Sequence, residues 1–157
     1  MTQDGVTVST EAGVTLITLD RPEKLNAYTD AMGRALARAV RCASADDAVR
    51  SIIITGAGRA FCAGADVSAG ADAFDMNAEG AGNFGSGGRR EESFIHALFD
   101  ATKPTIAAIN GPAVGVGITL TLPCDVRIAS TNARMGFVFA RRGLVPEAGS
   151  AWFLPRL

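Results

Sequence analysis

Thr105-Ile106-Ala107-Ala108-Ile109-Asn110-Gly111-Pro112-Ala113-Val114-Gly115-Val116-Gly117 reads as a short apolar strand, a glycine-rich turn and the opening of a helix. The same order occurs upstream, where Ile52-Ile53-Ile54-Thr55 leads towards Ala63-Gly64-Ala65-Asp66. Glycines in such turns let backbone N–H groups approach a ligand oxygen without a Cβ in the way. Set side by side, one amide from each turn would point at a single carbonyl oxygen and stabilise it as it becomes an oxyanion. The linear sequence does not itself place the turns together.

Outward from these turns, strand and helix alternate, which predicts an α/β chain. Val6-Thr7-Val8-Ser9 and Val14-Thr15-Leu16-Ile17-Thr18-Leu19 flank Glu11-Ala12-Gly13 as a hairpin, and Arg21-Pro22 ends the second strand. Thr29 is an N-cap for an amphipathic helix carrying Met32, Leu36 and Val40 on one face, with Arg34, Arg38 and Arg41 between them. Ile52-Ile53-Ile54-Thr55 has the composition of a strand buried on both faces. Residues 68–90 are rich in Gly, Ala, Ser and Asn, which predicts a mobile loop rather than core. A helix is expected near residues 91–101 with Phe94, Leu98 and Phe99 on one face. Strand, turn and helix then fill 105–122, and strands are expected at 126–130 and near 134–138.

The 157 residues suit a single domain, and the net charge of −1 without a basic run gives no reason to invoke nucleic acid. Cys42, Cys62 and Cys124 are odd in number, widely spaced and in apolar surroundings, which predicts buried reduced thiols and a cytoplasmic location. The N-terminus shows no signal-peptide pattern. The longest apolar region, residues 113–124, is broken by Gly115, Gly117 and Pro123, so no membrane span is expected. Mean hydropathy of +0.21 is high for a chain that by size should bury only about 70% of its unfolded surface. Apolar surface is therefore expected to remain for a partner or for further chain.

Three stretches resemble the enoyl-CoA hydratase/isomerase family, the crotonases: Arg21-Pro22-Glu23-Lys24-Leu25-Asn26-Ala27, Ala60-Phe61-Cys62-Ala63-Gly64-Ala65-Asp66-Val67 and Lys103-Pro104-Thr105-Ile106-Ala107-Ala108-Ile109-Asn110-Gly111. The likeness continues through Cys124-Asp125-Val126-Arg127-Ile128-Ala129-Ser130 and covers nearly the whole chain in the family's order. It implies a crotonase-like spiral of ββα units that binds an acyl-CoA thioester and stabilises its enolate, as in fatty acid metabolism. Crotonases are usually longer. The resemblance thus implies that 1–157 is a core domain and the N-terminal part of a longer chain, lacking the C-terminal helical region. By matching positions, it gives the oxyanion amides to Ala65 and Val116. Family members commonly carry glycine at the latter position, so the Val116 isopropyl group is expected to narrow the space beside the thioester. Lys24, Leu25, Ala27, Ala63, Asp66, Val67 and Gly115 fall where the family meets CoA. A homotrimer or dimer of trimers is implied if the remaining chain is present. CoA is part of the substrate, and no separate cofactor or metal is expected.

Other chemistries are poorly supported. Neither Gly56-x-Gly58 nor Gly115-x-Gly117 has the third glycine of a dinucleotide fingerprint, and no phosphate loop is present. Ser86 is not in a nucleophile elbow. His96, the single histidine, lacks partners at metal-ligand spacing. Asp125 is expected to order a turn or pair with Arg127, and Asp20 and Glu23 to lie on the surface.

The two glutamates of crotonase hydratases align with Thr119 and Phe139, neither of which can serve as a carboxylate acid or base. In Gly143-Leu144-Val145-Pro146-Glu147-Ala148-Gly149-Ser150, Glu147 matches the position where similar isomerases and some dehalogenases place one catalytic acid. One base suffices to take a proton from C2 and return it at C4. The other reading of Glu147 is a glutamate in a helix's first turn after proline. Phe137, Phe139 and Trp152 would raise its pKa by desolvation and a helix N-terminus would lower it, which leaves the net direction open. The favoured function is 3-enoyl-CoA to 2-enoyl-CoA isomerisation. The alternatives are a 2-enoyl-CoA hydratase and a non-catalytic acyl-CoA-binding or assembly subunit.

Overall fold

The computed structural model describes residues 2–68 and 90–157. The expected mobile loop and Ser86 lie in 69–89, outside the described residues. In chain order the elements are β1 (Thr2–Gln3), β2 (Val6–Glu11), β3 (Val14–Leu19), α1 (Asp30–Ala45), β4 (Ser51–Gly56), α2 (Phe94–Phe99), β5 (Thr105–Ile109), β6 (Ala113–Val114), α3 (Val116–Thr119), β7 (Val126–Ala129), β8 (Met135–Gly136) and α4 (Ser150–Phe153). The α/β expectation is met.

Among the described residues, one sheet runs β1-β2-β3-β4-β5-β7. It is antiparallel through the hairpin β2–β3, then parallel across β3, β4, β5 and β7. A second stack of short parallel pairings lies apart from it: Tyr28 with Ala65, Cys62 with Ala113, and β6 with β8. Each segment of the second stack follows one strand of the large sheet in sequence. Among the described residues the chain thus passes four times from a strand of the large sheet to the second stack and on to a helix.

Thr29 caps α1 as expected, its hydroxyl accepting from Met32 N at 3.2 Å. Met32, Leu36 and Val40 are fully buried against Ile17, Leu19, Ile52 and Ile54 of the sheet. β4 departs from the expected two-sided burial. Ile52 and Ile54 are buried while Ser51, Ile53 and Thr55 are half-buried, so only one face carries the packed core.

α2 is shorter than expected and is preceded by a 3₁₀ turn, Arg90–Glu92. Phe94 and Leu98 are buried, but Phe99 turns away and is 56% exposed. It meets Trp152 and Phe153 edge-on instead, at 5.6 and 5.9 Å between ring centroids. Strand β7 ends at Ala129, and β8 is only two residues long. Cys62 and Cys124 are buried, whereas Cys42 is exposed because it lies off the inward face of α1. Asp125 orders a turn, accepting from Thr105 N at 2.7 Å and Thr105 Oγ1 at 2.8 Å. Arg127 donates to the carbonyls of Thr121, Leu122 and Cys124. The apolar surplus is visible at Val145, Leu157 and Ile128. Among the described residues no helix is long and apolar enough to cross a membrane.

Asn26 joins the first unit to the second. It is fully buried in the left-handed region at φ 56°, where Asn is tolerated better than most side chains. Its Nδ2 donates to Ala57 O at 2.9 Å and Ala60 O at 2.8 Å, and Oδ1 accepts from Arg21 N at 2.9 Å. Asn26→Ala would leave these buried groups unpaired and is expected to cost about 2 to 4 kcal/mol of stability. Urea unfolding of the variant against the wild type checks this. An unchanged midpoint would contradict the assignment.

Candidate active site

Residues 62–65 run between the Tyr28 segment and β6. Tyr28 N donates to Gly64 O and Asp66 N donates to Tyr28 O, both at 2.8 Å. This pairing uses the groups on either side of Ala65 and turns the Ala65 N–H away from Tyr28. On the opposite edge, Val114 N donates to Cys62 O at 3.0 Å. The first glycine-rich turn is thereby drawn against the second.

Gly115 adopts φ 55° and ψ −123°, a conformation suited to glycine, and forms the N-cap of α3. A Cβ placed on Gly115 would lie 4.0 Å from Gly64 Cα. The turns touch backbone to backbone. Gly117 approaches more closely still, since a Cβ there would collide with the Cys62 carbonyl, 2.9 Å from its carbon. Ala65 and Val116 are thus the residues that leave the two adjoining turns. Among the described residues, neither of their N–H groups has a hydrogen-bond acceptor. Two vacant amides on neighbouring turns are what an oxyanion site requires.

The Val116 side chain belongs to the packed core and is only 3% exposed, so its isopropyl group is spent on packing. The expected narrowing of the thioester space finds no support in that placement. α3 is also a single turn rather than a helix continuing to residue 122. Leu122 N and Cys124 N bond three residues back, tightening the chain before β7.

Glu147 lies 28 positions beyond Thr119 in sequence, and the two side chains meet. Thr119 Oγ1 donates to Glu147 Oε1 at 2.8 Å. Glu147 Oε2 is buried and has no hydrogen-bond partner among the described residues. Burial pushes the carboxyl up to about 7, against the opposing pull of the Thr119 hydrogen bond. The net direction left open by the sequence is therefore upward. Trp152 is not packed as expected for this effect, because its ring stands edge-on to Phe99 and Phe153 and carries the Arg156 guanidinium 4.3 Å from its centroid. Phe137 is partly exposed and Phe139 is buried.

Glu147 also precedes the helix instead of sitting in its first turn. Ala148 and Gly149 both have positive φ, 52° and 70°, which breaks any helix at that point. Ser150 then starts α4, its N–H donating to Glu147 O at 2.9 Å. Glu147 in turn acts electrostatically on two neighbouring titratable groups, Tyr28 and Cys62. Burial raises both, the Cys62 thiol to about 11 and the Tyr28 phenol beyond its ordinary range. Both are neutral near pH 7.

The positions matched to CoA binding form a band beside the turns. Ala63 N donates to Leu25 O at 3.1 Å and Ala27 N to Lys24 O at 3.0 Å, while Gly115 N donates to Gly136 O at 3.0 Å. Arg21 fixes the band from below, its guanidinium reaching Ala27 O at 2.7 Å and Asp66 Oδ2 at 2.9 Å. Hydrogen bonds from Ser68, then Arg21, hold the Asp66 carboxyl down at about 2. Asp66 is a structural anion here. Lys24 and Val67 are exposed along the same band. Among the described residues no group of three His, Cys, Asp or Glu side chains could hold a metal. His96 has a buried Nδ1 without a partner and no ligand-forming neighbours among the described residues.

Sequence reasoning missed three members of this arrangement. The Thr119 hydroxyl is not a carboxylate, so the hydratase pattern gives it no role, and nothing in the sequence places Tyr28 or Cys62 beside Glu147.

The enoyl-CoA hydratase/isomerase family model matches residues 9–157. The chain is 39% identical over 151 residues to 1,2-epoxyphenylacetyl-CoA isomerase of Escherichia coli, covering 94% of this chain and 55% of that protein. It is 41% identical over 153 residues to an enoyl-CoA hydratase of Alternaria alternata, covering 92% and 47% respectively. The crystal structure of an enoyl-CoA hydratase/isomerase from Pseudoalteromonas atlantica superposes with a TM-score of 0.82 at 36% identity, over 97% of this chain and 57% of that one. The chain spans about half the length of the curated relatives it matches.

Proposed function

The chain belongs to the enoyl-CoA hydratase/isomerase family, and from that premise we propose that it takes part in converting a 3-enoyl-CoA to the conjugated 2-enoyl-CoA. The thioester oxygen accepts from the Ala65 and Val116 amides, which stabilise the enolate formed when the C2 proton leaves. Glu147 takes that proton and returns it at C4. No water is added and no oxidant is consumed. CoA is held as part of the substrate along Lys24, Leu25, Ala27, Ala63, Asp66, Val67 and Gly115.

The observation that carries this reading is the buried Glu147 carboxyl beside the paired turns, with Oε1 held by Thr119 and Oε2 without a partner among the described residues. A carboxyl with pKa about 7 is also suited to accepting and returning a proton near neutral pH. Thr119 and Phe139, at the hydratase glutamate positions, supply no second acid.

Hydration is the second reading, since several relatives are named enoyl-CoA hydratases. The two are separated by incubating 3-hexenoyl-CoA and 2-hexenoyl-CoA in oxygen-18 water and identifying the products by mass spectrometry. Isomerisation predicts interconversion of unlabelled enoyl-CoA. A labelled 3-hydroxyacyl-CoA as the main product would overturn it in favour of hydration.

A further inference from the structure

We propose that Thr119 is a positioning residue for proton transfer, its hydroxyl holding Oε1 of Glu147 so that Oε2 is the atom that takes and returns the proton. The inference rests on Glu147 being the base. It adds which oxygen reacts and what orients it.

Thr119 is fully buried and is the last residue of α3, the same single turn whose first residue is Val116. Its hydrogen bond therefore ties the base to the element carrying one of the two vacant amides. Glu147 itself sits on an irregular segment between Pro146 and two positive-φ residues, which offers no regular backbone frame to fix a side chain. The tether compensates for that. The Thr119 Oγ1 has two acceptors in reach, Glu147 Oε1 at 2.8 Å and Val116 O at 3.3 Å. A hydroxyl has one proton to donate, and the nearer, ionisable oxygen takes it. With Oε1 engaged, Oε2 is buried and unpartnered among the described residues. An exposed carboxylate oxygen would be hydrated, whereas this one is left for a substrate C–H.

The test compares wild type, Thr119→Val and Thr119→Ser in turnover of 3-hexenoyl-CoA across pH. Valine keeps the shape of threonine in its buried slot and removes the donor, while serine keeps the donor and removes a methyl group. Thr119→Val is expected to lower kcat about 10- to 100-fold with little change in KM, as for a misplaced catalytic group. The acidic limb of its pH profile moves to higher pH, because the Glu147 carboxylate loses the Thr119 hydrogen bond that lowers its pKa. Tyr28 and Cys62, the titratable groups near enough to feel the Glu147 charge, are both raised by burial, stay neutral throughout this range and do not supply the limb. Thr119→Ser is expected to restore both kcat and the profile. Equal kcat and profile in Thr119→Val and wild type would overturn the proposal, as would a Thr119→Ser profile displaced like that expected for valine. The serine arm decides the matter if the valine variant fails to fold. Loss of activity in Glu147→Gln beside a wild-type-like Thr119→Val would sink the positioning role alone, whereas full activity in Glu147→Gln would sink the base itself.

Discussion

Glu147→Gln is expected to lower turnover of a 3-enoyl-CoA about 10²- to 10⁴-fold while leaving acyl-CoA affinity nearly unchanged. Glutamine keeps the size of the side chain and an oxygen to accept from Thr119, but it cannot take a proton from C2. Isothermal titration with a non-reactive acyl-CoA, set beside steady-state kinetics, separates the two effects. Retained turnover would remove Glu147 from the mechanism.

The same substitution has a signature in stability whose sign follows from proton linkage. Burial raises the Glu147 carboxyl from an ordinary 4.5 to about 7, so between these values the folded protein binds more protons than the unfolded chain. The contribution of Glu147 to stability is present below about pH 4.5 and is lost as pH rises through about 7. Wild-type stability is therefore expected to fall relative to Glu147→Gln across that window. Turnover changes in the opposite direction, because the base works as the carboxylate. Denaturant midpoints of the two proteins at several pH values read this directly, and parallel curves would contradict the burial of an ionisable base.

Val116→Pro is expected to reduce kcat/KM at least about 10²- to 10³-fold without unfolding the protein. Val116 is the first residue of α3, the helical position where proline is best accommodated. The preceding Gly115, at φ 55° and ψ −123°, has no Cβ to clash with the proline ring. Proline deletes the N–H and puts Cδ where the thioester oxygen would approach. Both donation and close approach are lost. Circular dichroism confirms the fold, and kinetics comparable to wild type would show that this amide is not an oxyanion donor.

The parts of the fold set by local chemistry were legible in the sequence. The hairpin, the Thr29 cap, the inward face of α1 and the two strand-turn units are each written in contiguous residues. The α/β architecture followed from them, and the family resemblance from the motif stretches beginning at Arg21, Ala60, Lys103 and Cys124. The adjacency of the two glycine-rich turns depends on long-range pairings within the chain that no local pattern encodes, namely Tyr28 with Ala65 and Cys62 with Ala113. Pro146 suggested a helix start at Glu147, but successive positive φ angles at Ala148 and Gly149 delay it to Ser150. That delay releases Glu147 from a helix N-terminus, so burial governs its pKa. Phe99 was assigned to the core by helical spacing, yet the aromatic rings of α4 offer it a surface cluster. The sequence marks Thr119 only as a lost glutamate; its hold on Glu147 is not legible there, because the partner is distant in sequence and its role is to hold a carboxylate, not to be one.

The most direct measurement is proton NMR of 3-hexenoyl-CoA in D₂O with wild-type protein and with Glu147→Gln, following double-bond position and deuterium entry together. The account predicts migration of the double bond with deuterium appearing at C2 or C4 in the wild type, and neither event in Glu147→Gln despite retained ligand line broadening. Equal exchange in both proteins, or broadening without any exchange in the wild type, would contradict a Glu147-driven enolate chemistry.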